Sequence, residues 1–229
     1  MNPVSVIIPA YNEAGRITNV LKALKDVPFI VEILVVDDGS KDNTVAVVRE
    51  YASADARVKL IQNGTNCGKG QAVFTGWKQS SSRYILMLDA DLKGLTARHV
   101  NELCVPVLNG RADMTLGVFR GGQWSTDFSH WVTPWLSGQR CLRSELFECV
   151  SPEASQGYGI ETALTVLARQ MHLKVTTVPL MGMSHPPGEI HRGSIHGFLN
   201  RIKMYLQIAR AFVVASDRKR EIKLKQPGN

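Results

Sequence analysis

Four short apolar runs, each followed by a polar loop and the first three then by helical spacing, constrain this 229-residue chain more than any other feature. Val4 to Pro9, Glu32 to Val36, Val58 to Gln62 and Tyr84 to Leu88 are rich in β-branched and aliphatic residues and read as strands. Between them, Asn12 to Lys25 carries Ile17, Val20, Leu21 and Leu24 at helical spacing. A second helix, capped by Asp42 or Ser40, runs through Val45, Val48 and Tyr51, and a third spans Gly68 to Lys78. Strands alternating with helices of this length predict an α/β fold: a Rossmann-like, mostly parallel central sheet flanked by helices. The second half is less regular. Asp113 to Val118 and Lys174 to Val178 read as strands and Gly159 to Met171 as a helix, with a Gly- and Trp-containing stretch over 121–135. Ser194 to Ala215 reads as one long amphipathic helix. The expected organisation is one domain over residues 1–190, with halves at 1–92 and 93–190, followed by a basic helical tail over 191–229.

In a doubly wound sheet the loops after the parallel strands gather along one edge, where ligands bind. Here those loops are Pro9-Ala10-Tyr11-Asn12-Glu13, Asp37-Asp38-Gly39-Ser40, Asn66-Cys67-Gly68-Lys69-Gly70 and Asp89-Ala90-Asp91. Carboxylates can accept hydrogen bonds from a base N–H or from ribose hydroxyls, and a lysine between glycines can approach a carbonyl or a phosphate. If the strand geometry persists past Leu88, alternation places Asp89 and Asp91 on the same side. Two like charges so placed invite a hard divalent cation, Mg2+ or Mn2+, whose remaining positions go to phosphate and water. The alternative for this pair is a cap on the next helix, and for Asp37-Asp38-Gly39-Ser40 a turn with a helix cap. Gly68-Lys69-Gly70 lacks the spacing of a Walker A or dinucleotide fingerprint.

In this order and spacing the four loops resemble those of the family-2 glycosyltransferases of GT-A fold, over roughly residues 5–185. The resemblance implies that Pro9, Ala10, Tyr11, Glu13, Asp38, Gly68, Lys69, Asp89 and Ala90 form the nucleotide-sugar site. It also implies that Asp91, with Asp89 assisting, meets the cation. Leu136-Ser137-Gly138-Gln139-Arg140 resembles the small-residue acceptor loop of polyprenyl-phosphate sugar transferases and glucosyl-3-phosphoglycerate synthases. Gly157-Tyr158-Gly159-Ile160-Glu161 is similar to a segment of the latter group, and His185 matches the position of their metal-bound histidine; a structural histidine is the alternative. The implied activity moves a hexose from a UDP-glucose- or GDP-mannose-type donor to an acceptor, with Asp91, Glu161 and Arg140 as the candidate catalytic set. Inverting members commonly carry an acidic pair ahead of the acceptor helix, and this chain has none near Gln139-Arg140. A phosphate-bearing acceptor, either polyprenyl phosphate or a phosphorylated small acid, is already anionic and needs no such base. Arg140 or Arg120 could attract it through a bidentate guanidinium, or either could be a surface charge.

Composition bears on the surroundings of this site. From Pro186 to Asn229 nine Lys/Arg face three acids, so +6 of the net +7 sits in that tail. Its helix places Phe198, Ile202, Tyr205, Leu206, Ala209, Phe212 and Val213 on one face. Arg201, Lys203 and Arg210 lie off that face. Such a pattern suits packing on the body, pairing with a second copy as a homodimer, or peripheral contact with an anionic membrane through 194–225. Four cysteines without zinc spacing predict reduced thiols and a cytoplasmic setting, with peripheral membrane contact as the variant. The start reads as a strand rather than a signal peptide, and no stretch has the length of a membrane span. Three other functions fit less well. A nucleotidyltransferase would show a Gly-rich basic loop after the first strand, a non-catalytic nucleotide-sugar-binding or membrane-docked subunit would not need the Asp pair, and nucleic-acid binding would call for interleaved aromatics in the tail.

Overall fold

The computed structural model describes residues 2–120, 137–150 and 159–184. In chain order the elements are β1 (Val4–Ala10), α1 (Ile17–Leu24), β2 (Ile30–Asp37), α2 (Thr44–Ala54), β3 (Val58–Gln62), α3 (Lys69–Gln79) and β4 (Tyr84–Met87). Then follow α4 (Ala97–Leu108), β5 (Met114–Arg120), β6 (Arg140–Arg143), the short α5 (Glu145–Glu148), α6 (Gly159–Gln170) and β7 (Val175–Met181). The seven strands form one sheet in the order β3-β2-β1-β4-β6-β5-β7. β6 runs antiparallel to both neighbours, and every other pair is parallel. The expected α/β architecture, a mostly parallel sheet flanked by helices, is therefore present; the tail helix over 194–215 lies outside the described residues.

Strand alternation sorts the core into two layers. Val6, Ile8, Ile33, Val35 and Leu86 face α1, α2 and α4, whereas Ile7, Leu34, Val36, Ile85 and Met87 face α3, α5 and α6. On the second face α3 lies against β1 so closely that a methyl on Gly76 would stand 2.7 Å from Ile7 Cγ2. Phe147 of α5 stacks on Trp77 of α3 with ring centroids 5.5 Å apart.

Two elements have no counterpart in the sequence reading. α4 contains Pro106, which reads as a helix breaker, yet the helix continues through it. β6 is four residues with an arginine at each end, a pattern that reads as surface, and it lies in the middle of the sheet. Antiparallel insertion of β6 joins the β1–β4 half of the sheet to the β5–β7 pair.

At the candidate edge, β4 ends at Met87 and the chain turns at Ala90 and Asp91. Extended geometry does not persist, so the expectation that alternation sends Asp89 and Asp91 to one side is corrected. The helix-cap alternative for the pair is also excluded, because α4 begins beyond it. Thr96 is the N-cap, and its backbone N–H donates to His99 Nδ1 at 3.3 Å.

Candidate active site

The loops after β1, β2, β3 and β4 are joined to one another by side chains in chain order. Asn12 takes a left-handed conformation, φ 57°, which an asparagine tolerates better than most residues. This presents Asn12 N–H to Ser40 Oγ at 2.9 Å, Glu13 N–H to Thr44 Oγ1 at 2.8 Å and Ala14 N–H to Asp42 Oδ2 at 3.2 Å. Asn12 Oδ1 accepts Lys41 N–H in return, at 2.8 Å. The second loop thus fixes the first. Asp42 also accepts Thr44 N–H at the start of α2, the role expected of a capping residue, although the residue preceding the helix is Asn43.

Asp38 fixes the third loop. Its carboxylate is 3 % exposed and accepts Cys67 N–H at 3.0 Å, Gly68 N–H at 2.7 Å and Asn63 Nδ2 at 3.0 Å. Gly39, at φ 76°, lets the second loop come so close that a methyl there would stand 2.8 Å from Asn66 N. Gly68, at φ 91°, then turns the chain into α3 and aims Lys69 toward the fourth loop.

Lys69 is the centre of the site. Its Nζ lies 2.6 Å from Asp89 Oδ1 and 2.7 Å from Glu161 Oε1. Burial lowers the affinity of such an amine for its proton, but the two carboxylates more than offset this and hold Lys69 charged above its ordinary range. Gln139 Nε2 donates to the other oxygen of Asp89, Oδ2, at 2.7 Å. Gly138 fits against the pair: a methyl there would stand 2.6 Å from both Asp89 oxygens and 2.7 Å from Lys69 Nζ. Glu161 is 1 % exposed, and its Oε2 has no hydrogen-bond partner among the described residues.

Beneath this cluster lies Arg140, wholly buried. Its guanidinium donates to Ser137 O through Nη2 at 2.6 Å and to Glu161 O through Nη1 at 3.0 Å. Burial lowers its pKa to about 10, against the opposing pull of Glu161 and Asp89. The surface-charge alternative for Arg140 is thereby excluded. Arg120, at the end of β5, is exposed.

Of the remaining sequence-derived residues, Pro9 and Ala10 close β1, with Ala10 O accepting Asp38 N–H at 2.8 Å. Tyr11 is 42 % exposed at the edge. Glu13 pairs with Arg16 at 2.6 Å. Burial raises the Glu13 pKa, Arg16 lowers it, and Asp91 and Asp42 push it up, which sets Asp91 electrostatically beside the first loop. Ala90 is buried between the two aspartates. His185 lies outside the described residues. Among those described, no cluster of three or more His, Cys, Asp or Glu could hold a metal ion. The donor set nonetheless fits a hard cation that takes few protein ligands, since Asp91 brings a carboxylate to the strand-end turn beside the first loop.

Gln139 and Gly138 were legible only as part of a small-residue loop. Nothing in their type or spacing signals that one holds Asp89 and the other makes room for Lys69. All four cysteines are free thiols. Among the described residues, no helix is long and apolar enough to cross a membrane.

The sequence profile of the family described as Glycosyl transferase family 2 matches residues 5–158. A dolichyl-phosphate beta-glucosyltransferase of Trichomonas vaginalis is 43% identical over 94 residues, which are 37% of this chain and 28% of that protein. One from Dictyostelium discoideum is 40% identical over 99 residues, 38% of this chain and 30% of that protein. The aligned segments thus span less than a third of those relatives' own length. The fold is also that of glucosyl-3-phosphoglycerate synthase from Mycobacterium tuberculosis. Its structure in complex with Mn2+ and uridine-diphosphate-glucose superposes with a TM-score of 0.71 at 22% identity, covering 92% of this chain and 79% of that one.

Proposed function

Because the chain belongs to glycosyl transferase family 2, we propose that it transfers a hexose from a nucleotide-sugar of UDP-glucose or GDP-mannose type to a phosphate-bearing acceptor. The observation that carries this reading is the chain of loop-to-loop bonds ending in Lys69, Asp89, Glu161 and Gln139 on one sheet edge. Such an edge holds a nucleoside and its diphosphate in one fixed orientation.

In this reading Pro9, Ala10, Tyr11 and Glu13 line the nucleoside side. Asp38 and Gly68 set the third loop beneath the base and ribose. Lys69, held between Asp89 and Glu161, forms the floor with Ala90 and Asp89. Asp91 would hold the divalent cation, Mg2+ or Mn2+, with His185 as the second candidate ligand. When bound, that ion neutralises charge that develops on the departing diphosphate.

The acceptor half of the proposal rests on how the carboxylates of the site are engaged. Among the described residues around Ser137 to Arg140 the carboxylates are engaged, Asp89 by Lys69 and Gln139 and Glu161 by Lys69. An acceptor phosphate enters already ionised, so the attack needs no dedicated base. Relatives named for dolichyl phosphate and a fold neighbour named for phosphoglycerate are consistent with such acceptors. Arg140 acts from below as a positioning residue that joins Ser137 to the backbone at Glu161. Arg120 is exposed and can meet an anion.

Purified protein incubated with UDP-glucose or GDP-mannose, Mn2+ and either a polyprenyl phosphate or 3-phosphoglycerate tests the proposal. Transfer that disappears with EDTA and with Asp91→Ala supports it. Absence of transfer and of donor hydrolysis, together with no metal-dependent nucleotide binding, overturns it.

A further inference from the structure

A groove of about 680 Å3 runs between α4 and β7, on the face of the sheet away from α3 and α6. Val105 and Pro106 of α4 form one wall, Pro179 and Met181 of β7 form the other, and the Arg98–Glu102 ion pair lies at its rim. Met181 is 61% exposed, which is unusual for a large apolar side chain beside a groove. β7 is the edge strand among the described residues. Pro179 has no N–H to offer an added strand, so this edge is poorly suited to sheet extension by another chain. An apolar groove with a polar rim instead fits the side chains of a helix.

The last described residue, Ser184, leaves the body beside this groove. It is paired with Lys93 just before α4 by hydrogen bonds in both directions, 3.0 and 3.2 Å. Residues 185–229 continue from that point. Residues 185–193 can bridge about 30 Å when extended, more than the ~18 Å length of α4. The sequence then presents Phe198, Ile202, Tyr205, Leu206, Ala209, Phe212 and Val213 at spacings of three and four, an anchor pattern for a helix in a groove.

We propose that the groove between α4 and β7 is the seat of this chain's own segment 194–215, packed through that apolar face with its basic side outward. A tail so seated covers Met181 and Pro179. It leaves Arg201, Lys203 and Arg210 in solvent.

Hydrogen exchange on the full-length chain tests this. Leu206→Asp with Phe212→Asp should speed exchange in residues 101–106 and 177–181 by roughly tenfold or more. Lys203→Asp, off the apolar face, should leave those rates unchanged. In the reverse direction Met181→Asp should speed exchange in 194–215, while an unaltered signal from β1 and β4 certifies the fold. Unchanged groove exchange in the double variant overturns the proposal. So does groove protection that appears only at concentrations where light scattering shows a dimer. Protection that appears only on addition of vesicles of phosphatidylcholine and phosphatidylglycerol also overturns it.

Discussion

Lys69 shows how one side chain can hold a site together and why its neighbours leave no slack. It faces Glu161, a carboxylate 1 % exposed, and Asp89, so removing its charge leaves a buried anion without a counter-charge. Lys69→Met should therefore cost about 3 kcal/mol of stability, and adding Glu161→Gln should return much of it. Urea unfolding of the two variants reads this directly; equal losses in both would show that the pair contributes little. Gly138 gives the complementary case. A methyl at 138 displaces the Lys69–Asp89 pair from a contact of 2.6–2.7 Å. Gly138→Ala should then lower the rate of sugar transfer by about a hundredfold with the far-UV circular dichroism unchanged. Residues such as Asp38, Lys69 and Asp89 stood out in the sequence because they lie in polar loops after apolar runs whose order and spacing resemble those of the family. Gly138 and Gln139 were not, because their importance comes from what folds against them.

Among the elements, the opposite end of the sheet carries a second buried carboxylate with a different purpose. Glu32 of β2 accepts from Ser5 Oγ of β1 at 2.5 Å, from Ser81 N–H at 2.6 Å and from Lys59 of β3 at 2.8 Å. It thereby ties three strands and the turn before β4. Burial works to raise its pKa, but these donors prevail and lower it to about 2, from 4.5 when unperturbed. A carboxylate depressed on folding adds stability that is complete above its unfolded pKa and is lost as pH falls toward the folded value. Stability should thus decline between about pH 4.5 and 2 with a slope that Glu32→Gln lacks, a difference on the order of 2 kcal/mol. Thermal unfolding across that range is the measurement, and identical slopes would assign the acid sensitivity elsewhere. β1, β2 and β4 were legible in the sequence because each is largely buried on both faces and reads as an apolar run, while β3, at the sheet edge, is only partly buried. α4 was hidden by Pro106. β6 was hidden by Arg140, whose charge is met by backbone carbonyls that no sequence pattern announces.

At the scale of the whole molecule, the sheet is one continuous surface made from two stretches of chain. β1 to β4 form four adjacent strands from residues 4–87, whereas β5 and β7 pair with each other and reach the rest only through β6. The family profile covers residues 5–158 and so reaches β1 through β6, whereas α6 with Glu161 and β7 lie beyond the matched segment. The antiparallel insertion has a consequence in time. A chain growing from its N-terminus can complete β3-β2-β1-β4 while β4 still presents an open apolar edge, Tyr84 to Met87. That edge waits for residues 140–143, more than fifty positions later, and such distant pairing is slow to form. Pulse-labelled refolding should find the amides of β6 protected after those of β1 and β2. Because Gln139 reaches Asp89 only when β6 docks, the strand that joins the two parts of the sheet also completes the cluster around Lys69. A half-made chain therefore carries Asp89 without the side chain that fixes its second oxygen.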